Sequence, residues 1–185
     1  MTTPSMAYAR PAVSLHWAVA LLIFAAFPLG VYMHDLPLSP DKLRLFSYHK
    51  WLGITVLLLA VLRVASRVAF AAPPLPVAMR PWERRATFAM HALLYALIFA
   101  VPLSGWLMSS ASGFQTVWFG VLPLPDWVPM NKALAESLKA LHKSLNLLLL
   151  VLVLVHMAAA LKHHFIARDE VLVRMMPRWR VARRR

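Results

Sequence analysis

Four long apolar runs alternate with short polar segments along the 185-residue chain. At about 1.5 Å per residue, each run is long enough to cross the roughly 30 Å hydrocarbon layer of a membrane as an α-helix. The runs are Leu15–Met33, His49–Val68, Phe88–Ser109 and Lys143–Leu161. The pattern predicts a single all-α integral membrane domain over residues 1–185, a four-helix bundle running up-down-up-down.

Prolines lie in the three connectors between these runs, where they prevent a helix from continuing. They are Pro37 and Pro40, then Pro73, Pro74, Pro76 and Pro81, then Pro123, Pro125 and Pro129. One short internal echo is present: His49-Lys50-Trp51-Leu52 resembles His142-Lys143-Ser144-Leu145, and each is predicted to open a helix.

The composition supports lipid as the solvent. Hydrophobic residues make up 61% of the chain and charged residues 15%, against roughly 25% charged in soluble domains. A soluble domain of this size could not bury so much apolar surface. The chain has no cysteine and eight histidines, which excludes disulfides, thiolate ligands and iron–sulfur clusters and leaves histidine as the metal ligand.

The distribution of basic residues predicts the orientation, because cytoplasmic segments of membrane proteins are enriched in Lys and Arg. One side carries 14 of the 20 Lys and Arg residues and includes the tail 163–185, so both termini are predicted to be cytoplasmic. With a net charge of +13, the basic stretch Arg178–Arg185 is interpreted as an anchor for anionic lipid rather than a nucleic-acid site.

Five histidines fall within or next to the spans, where ionisable residues are costly and functional by default. His16, His91 and His156 each lie six residues from a basic residue at the cytoplasmic boundary, or about 9 Å inside it. We call these three the inner layer. His49 and His142 are predicted to open helices at the opposite boundary, and we call them the outer layer.

The fourth helix contributes to both layers. His142 and His156 are 14 residues apart, which returns them to nearly the same helix face at a separation of about 21 Å. Two residues so far apart cannot share one ion, but each can bind a separate large cofactor.

Haem fits these layers better than a bare ion. A zinc site needs four close ligands, and the four apolar runs contain no Cys, Asp or Glu. Haem supplies four nitrogens itself and needs one or two axial histidines in an apolar slot. The bundle is therefore predicted to hold two b-type haems; a haem-free transporter with gating histidines is the alternative from another functional class.

Several neighbours of the histidines have two interpretations. Gly53 and Gly105 either let a porphyrin approach the backbone or simply permit close helix packing. Arg63 and Arg67 either meet haem propionates or anchor the second helix at the cytoplasmic face. Lys50 and Lys143 have the same two interpretations on the outer side: they either meet haem propionates or anchor their helices at that face.

Taken in order, the motifs resemble the bacterial cytochrome b561 family over nearly the whole chain. They are Leu15-His16-Trp17, His49-Lys50-Trp51-Leu52-Gly53, Arg63, Pro102-Leu103-Ser104-Gly105-Trp106-Leu107-Met108, His142, His156, His163-His164-Phe165 and Arg174-Met175-Met176-Pro177.

The resemblance implies a dihaem b protein of the bacterial inner membrane. It implies that His16 and His156 bind the inner haem iron and that His49 and His142 bind the outer one. His91, which lies as deep as His16, is then expected to line the cofactor or contact a propionate.

The family includes members that oxidise periplasmic superoxide and reduce ubiquinone, and this chain is similar to that short type. An oxidoreductase of this kind is one expectation. The other is an electron-carrying subunit of a dehydrogenase or hydrogenase complex, with a redox partner protein.

Both ends of such an electron path have candidate residues. Lys50 and Lys143, with Arg44 or Lys132, are candidates for steering the superoxide anion. His163, His164 and Arg168 are candidates for binding a quinone headgroup, although a polar helix end explains them equally well.

Overall fold

The computed structural model describes residues 7–76 and 79–177 and is almost entirely helical. Its four long helices are α1 (Arg10–Asp35), α2 (Pro40–Ala69), α3 (Pro81–Ala111) and α4 (Lys132–Lys162). All four are long and apolar enough to cross a membrane, which confirms the predicted all-α bundle. The basic stretch Arg178–Arg185 lies outside the described residues.

The helix starts follow from their first residues. Ser39 caps α2 by accepting a hydrogen bond from the backbone N–H of Lys42 at 3.2 Å, and Pro40 supplies a preset first turn. Asn131 caps α4 in the same way by accepting from the N–H of Leu134 at 3.0 Å.

All four helices begin earlier than the predicted runs, and in α2 and α4 this changes the position of a histidine in its helix. His49 lies nine residues after the start of α2, and His142 lies ten residues after the start of α4, so neither histidine opens its helix as expected. The added turns carry the charged residues Asp41, Lys42, Arg44, Lys132, Glu136 and Lys139. Charges on these turns end the apolar run but do not stop a helix that extends beyond the hydrocarbon.

A small apolar cluster lies in the middle of the bundle. It contains the fully buried Ala60 with Leu97, Ile98 and Leu149. Leu149 is seven residues from both His142 and His156, or about 10 Å from each along the axis. This cluster therefore separates the two histidine layers, while Leu21, Leu62 and Leu147 face outward and are more than half exposed.

The long connector between α3 and α4 is a folded cap (residues 112–131). It contains a two-stranded hairpin, β1 (Val117–Trp118) and β2 (Leu122–Pro123), with Val117 opposite Pro123. Gly120, with φ of +73°, provides the left-handed backbone that the hairpin turn requires. The cap joins the bundle through Trp51, whose indole N–H donates to the carbonyl of Val117 at 2.7 Å.

The chain turns back after α4. A π-helical turn, His163–Ala167, leads to a short 3₁₀ helix, Val173–Met175. The indole of Trp17 in α1 donates to the carbonyl of Met175 at 2.8 Å, and Lys162 pairs with Glu83 of α3 at 2.6 Å. These contacts hold the end of the described chain against the first turns of α1 and α3.

Candidate functional site

The N-terminal parts of α1 and α3 and the C-terminal part of α4 bring the inner histidines together. The ring centroids of His16 and His156 are 6.3 Å apart, and those of His91 and His156 are 5.4 Å apart. Trp17 packs edge-on against His16 at 5.5 Å. The inner layer is thus a cluster of three imidazoles, with His156 between the other two.

The outer layer is a simple pair. The ring centroids of His49 in α2 and His142 in α4 are 6.3 Å apart, and the two ring planes are nearly perpendicular at 88°.

The spacing of these rings can be compared with that of two histidines on one metal. With metal–nitrogen bonds of about 2.0–2.1 Å and about 1.1 Å from nitrogen to ring centre, two imidazoles on opposite sides of an ion have centroids about 6.3 Å apart. His49–His142 and His16–His156 both have that separation. The His91–His156 separation is about 1 Å shorter than this value.

Each outer histidine is bonded to the backbone of a neighbouring helix through Nδ1. His49 Nδ1 lies 3.0 Å from the carbonyl oxygen of Ala26, and His142 Nδ1 lies 3.1 Å from that of Val101. A carbonyl oxygen only accepts, so Nδ1 must carry the proton and donate. In a neutral ring, Nε2 is then left with the free lone pair that a metal requires.

Glycines make room for both outer rings. A Cβ on Gly30 would lie 3.0 Å from Cε1 of His49, and a Cβ on Gly105 would lie 3.0 Å from Cε1 of His142. Gly105 therefore accommodates a histidine rather than a porphyrin plane. Gly30 was missed from sequence; the signal is a second echo, Pro28-Leu29-Gly30 against Pro102-Leu103-Ser104-Gly105.

Gly53 is different, because a Cβ added there would meet no atom within 4 Å. One turn after His49, the missing side chain leaves open space beside the helix. Close helix packing therefore does not explain Gly53, and its role in making room for a porphyrin stays a prediction.

Arg63 lies close enough to His16 and His156 to act on both electrostatically. Its Nε donates to the hydroxyl of Tyr95 at 3.2 Å. Its Nη1 is buried without a hydrogen-bond partner among the described residues, as is Oγ of Ser66 one turn later. A buried guanidinium with a free donor is suited to a carboxylate such as a haem propionate.

The lysines beside the outer histidines differ in their contacts. Lys50 Nζ donates to the carbonyl of Phe114 in the cap at 3.1 Å and lies within electrostatic range of Asp126. Lys143 follows His142 in α4.

Arg67 lies with its guanidinium 5.5 Å from the ring centre of Tyr8, beside the inner layer.

The three quinone candidates lie in or next to the π-helical turn. His163 Nδ1 is bonded to a carboxylate oxygen of Asp169 at 2.5 Å. His164 packs edge-on against Phe165, and Arg168 ends the turn with a left-handed backbone.

No group of three or more His, Cys, Asp or Glu side chains within residues 7–76 and 79–177 is arranged to hold a bare metal ion. The paired imidazoles, the space at Gly53 and the free donor of Arg63 instead fit a haem.

A family model described as prokaryotic cytochrome b561 matches residues 7–178 of the chain. The chain belongs to the prokaryotic cytochrome b561 family.

Curated relatives agree with this assignment. The chain is 36% identical over 165 residues to cytochrome b561 homolog 2 of Escherichia coli K12, covering 88% of this chain and 87% of that protein. It is 29% identical over 178 residues to a protein named "Probable superoxide oxidase CybB" of Yersinia pestis, covering 91% and 94%. This cytochrome b561 is a multi-pass electron-transfer protein of the inner membrane, and its family implies b-type haem.

Proposed function

We propose that this cytochrome b561 binds two b-type haems and transfers electrons from superoxide to ubiquinone. Both termini would be cytoplasmic, as the distribution of Lys and Arg favours, so that the outer layer faces the periplasm. The observation that carries the two-haem part of the proposal is the equal 6.3 Å separation of the two histidine pairs, and the relative named "Probable superoxide oxidase CybB" supports superoxide as the donor.

Four histidines would bind the irons: His49 and His142 at the outer haem, and His16 and His156 at the inner haem. His91, whose ring lies closer to His156 than that of His16 does, would line the inner haem. Arg63 would direct its free Nη1 at a propionate, and Gly53 would leave room for the outer porphyrin.

When bound, haem supplies a one-electron Fe(III)/Fe(II) couple. Binding by His49 with His142, and by His16 with His156, would favour electron transfer without oxygen binding. The cluster of Ala60, Leu97, Ile98 and Leu149 between the layers excludes water and charge from the middle of the bundle. Protons therefore do not accompany electrons through this part of the protein.

The substrates would meet opposite ends of the bundle. Lys50 and Lys143 would attract superoxide to the outer side. The hydrogen bond from Lys50 to the carbonyl of Phe114 and the nearby carboxylate of Asp126 reduce the contribution of Lys50 to this attraction. Each superoxide ion loses one electron and leaves as O₂. Two such electrons and two protons convert one quinone to quinol.

The protons would be delivered at the cytoplasmic boundary. His163 is bonded through Nδ1 to Asp169, which leaves Nε2 available for a quinone carbonyl. His164 and Arg168 lie on the same short turn and would complete the headgroup site.

A difference spectrum and a superoxide assay test the proposal. The purified protein should show b-type bands on reduction, and absence of these bands would leave the transporter with gating histidines as the better interpretation. An enzymatic superoxide source should reduce the haems and, with ubiquinone present, form quinol. Superoxide dismutase should abolish both signals; persistence of reduction with dismutase present would contradict superoxide as the donor.

A second function, electron carrier for a dehydrogenase or hydrogenase partner, is favoured by one observation. The cap exposes Phe119 (55%), Val121 (83%) and Leu122 (51%), which a partner protein would bury. No superoxide-dependent reduction, together with reduction by a co-purified partner, would support this function instead.

A further inference from the structure

The two outer histidines are held by the same arrangement in each half of the chain. In the first half, His49 donates through Nδ1 to Ala26, and Ala26 is four residues before Gly30. In the second half, His142 donates to Val101, which is four residues before Gly105. In both cases the ring crosses the face of the glycine to reach a carbonyl one turn earlier.

The glycines determine whether this hydrogen bond can form. Cε1 of each outer ring lies 3.0 Å from the position that a Cβ would take on the facing glycine, so there is no room for a methyl group between the ring and the helix. Alanine at residue 30 or 105 would push the ring away from the helix. Because the bonds to Ala26 and Val101 measure 3.0 and 3.1 Å, a small displacement would lengthen them beyond normal hydrogen-bond range.

Ser104 adds a second acceptor on one side only. Its hydroxyl donates to the carbonyl of Val101 at 2.8 Å, so its oxygen can accept the Nδ1–H of His142 at 2.9 Å. The proton of His142 is therefore shared by two acceptors. His49 has a single hydrogen bond of this kind, to Ala26.

The inner histidines do not have this arrangement. Within the described residues, neither His16 nor His156 has a side-chain hydrogen bond to a neighbouring helix, and no glycine faces either ring. The arrangement is therefore a property of the outer layer and not of bundle packing in general.

We infer that Gly30 and Gly105, with Ser104, are positioning residues that fix the orientation and the Nδ1-protonated form of the outer haem ligands. The inference rests on the proposed function only in taking His49 and His142 as ligands. A hydrogen bond from the ring nitrogen that does not bind the metal raises the basicity of a metal-bound histidine. Loss of the partner in such a bond typically costs about 10–100-fold in metal affinity or activity. A more basic ligand also stabilises Fe(III), so these bonds lower the reduction potential of the outer haem.

The first experiment needs no haem. Ring ¹⁵N NMR of the haem-free protein, with assignments from His49→Ala and His142→Ala, reports which nitrogen carries the proton. We expect Nδ1–H and an unprotonated Nε2 for both residues, and a weakened Nδ1 hydrogen bond at His142 in Gly105→Ala. Finding Nε2–H at both positions would overturn the inference whether or not haem is later bound.

The second experiment uses the haem-loaded protein and a redox titration of the two haems. The outer component is identified as the one lost in His142→Ala. Gly30→Ala and Gly105→Ala should weaken outer-haem binding about 10–100-fold and raise the potential of any outer haem that remains. The inner haem should keep its spectrum and potential, which makes it an internal control for folding.

Ser104→Ala keeps the test decisive if the glycine variants do not fold. It removes one of two acceptors and adds no bulk, so both haems should stay bound while the outer potential rises by less than in Gly105→Ala. Ser112→Ala is the matched control, because that hydroxyl also bonds a carbonyl of its own helix, Met108, at 2.7 Å, without a histidine contact.

The outcomes separate the two claims. A wild-type protein that binds no haem would contradict the proposed function, whereas the NMR result would stand on its own. Two haems with unchanged outer potential in Gly30→Ala, Gly105→Ala and Ser104→Ala would contradict the inference and leave the proposed function intact.

Discussion

The outer histidines are bonded to backbone carbonyls of neighbouring helices, whereas the inner histidines lie among other imidazoles and arginines. His49 and His142 each have a hydrogen bond through Nδ1. His16 and His156 instead lie near the guanidinium of Arg63. Nearby cations favour the reduced state of a haem, and strong histidine donors favour the oxidised state. With the proposed haems bound, this difference would favour electron flow from the outer layer to the inner one.

The largest expected effect is loss of a haem on removing an outer ligand. His142→Ala should reduce the haem content from two per chain to one, because no other histidine of the described chain lies beside His49 at a suitable distance. A pyridine haemochrome assay measures the content. His34→Ala is the control, since His34 lies exposed at the end of α1 and pairs only with Asp35; retention of two haems in His142→Ala would contradict the outer pair.

The inner layer has three histidines for two positions, and a pair of variants distinguishes them. His16→Ala should lose one haem, and His91→Ala should keep both, because the proposed inner ligands His16 and His156 have the same 6.3 Å ring separation as the outer pair, whereas His91 lies 5.4 Å from His156. Haem content and the low-spin EPR signal of each variant check this. The reverse result would assign the iron to His91 and His156.

Removal of the positive charge of Arg63 should bring the potentials of the two haems closer together. Arg63→Gln should lower the inner potential by the equivalent of about 1–2 kcal/mol and leave the outer one unchanged. A redox titration measures both. Arg44→Gln, an exposed residue on the same helix at the other end, controls for a general loss of charge; an equal shift in both haems would contradict a local effect.

A smaller effect is expected at Gly53. Gly53→Ala should stabilise α2 by about 0.5–1 kcal/mol through helix propensity, since the new Cβ meets no protein atom. Outer-haem affinity should nevertheless fall, because the methyl group enters the space assigned to the porphyrin. Thermal unfolding of the haem-free protein and haem titration measure the two quantities. Equal or tighter haem binding would show that the space has another use.

The spans and the grouping of the histidines followed from simple physical regularities. Hydropathy located all four helices, and a rise of about 1.5 Å per residue placed His16, His91 and His156 at one depth. Both inferences depend only on a fixed helix geometry and a fixed bilayer thickness. They could be made without knowing which helices are neighbours.

Other features needed the tertiary structure. The prolines of residues 123–129 predict where helices end, but not that Trp51 and Lys50 bind a folded cap. Gly30 looked like any small residue in an apolar helix, because its partner His49 lies 19 residues away and its role depends on the crossing of α1 and α2. Hydropathy likewise could not detect the charged first turns of α2 and α4, which lie outside the hydrocarbon.

The bonds of the outer histidines also bear on how the protein is assembled. His49 is bonded to α1 and His142 to α3, so each helical hairpin holds one of the two outer histidines in place. The proposed outer haem, bound by both histidines, would join the two hairpins, in keeping with helix insertion before helix association. A chain divided within residues 70–80, between α2 and α3, is therefore expected to reassemble when both halves are produced together with haem.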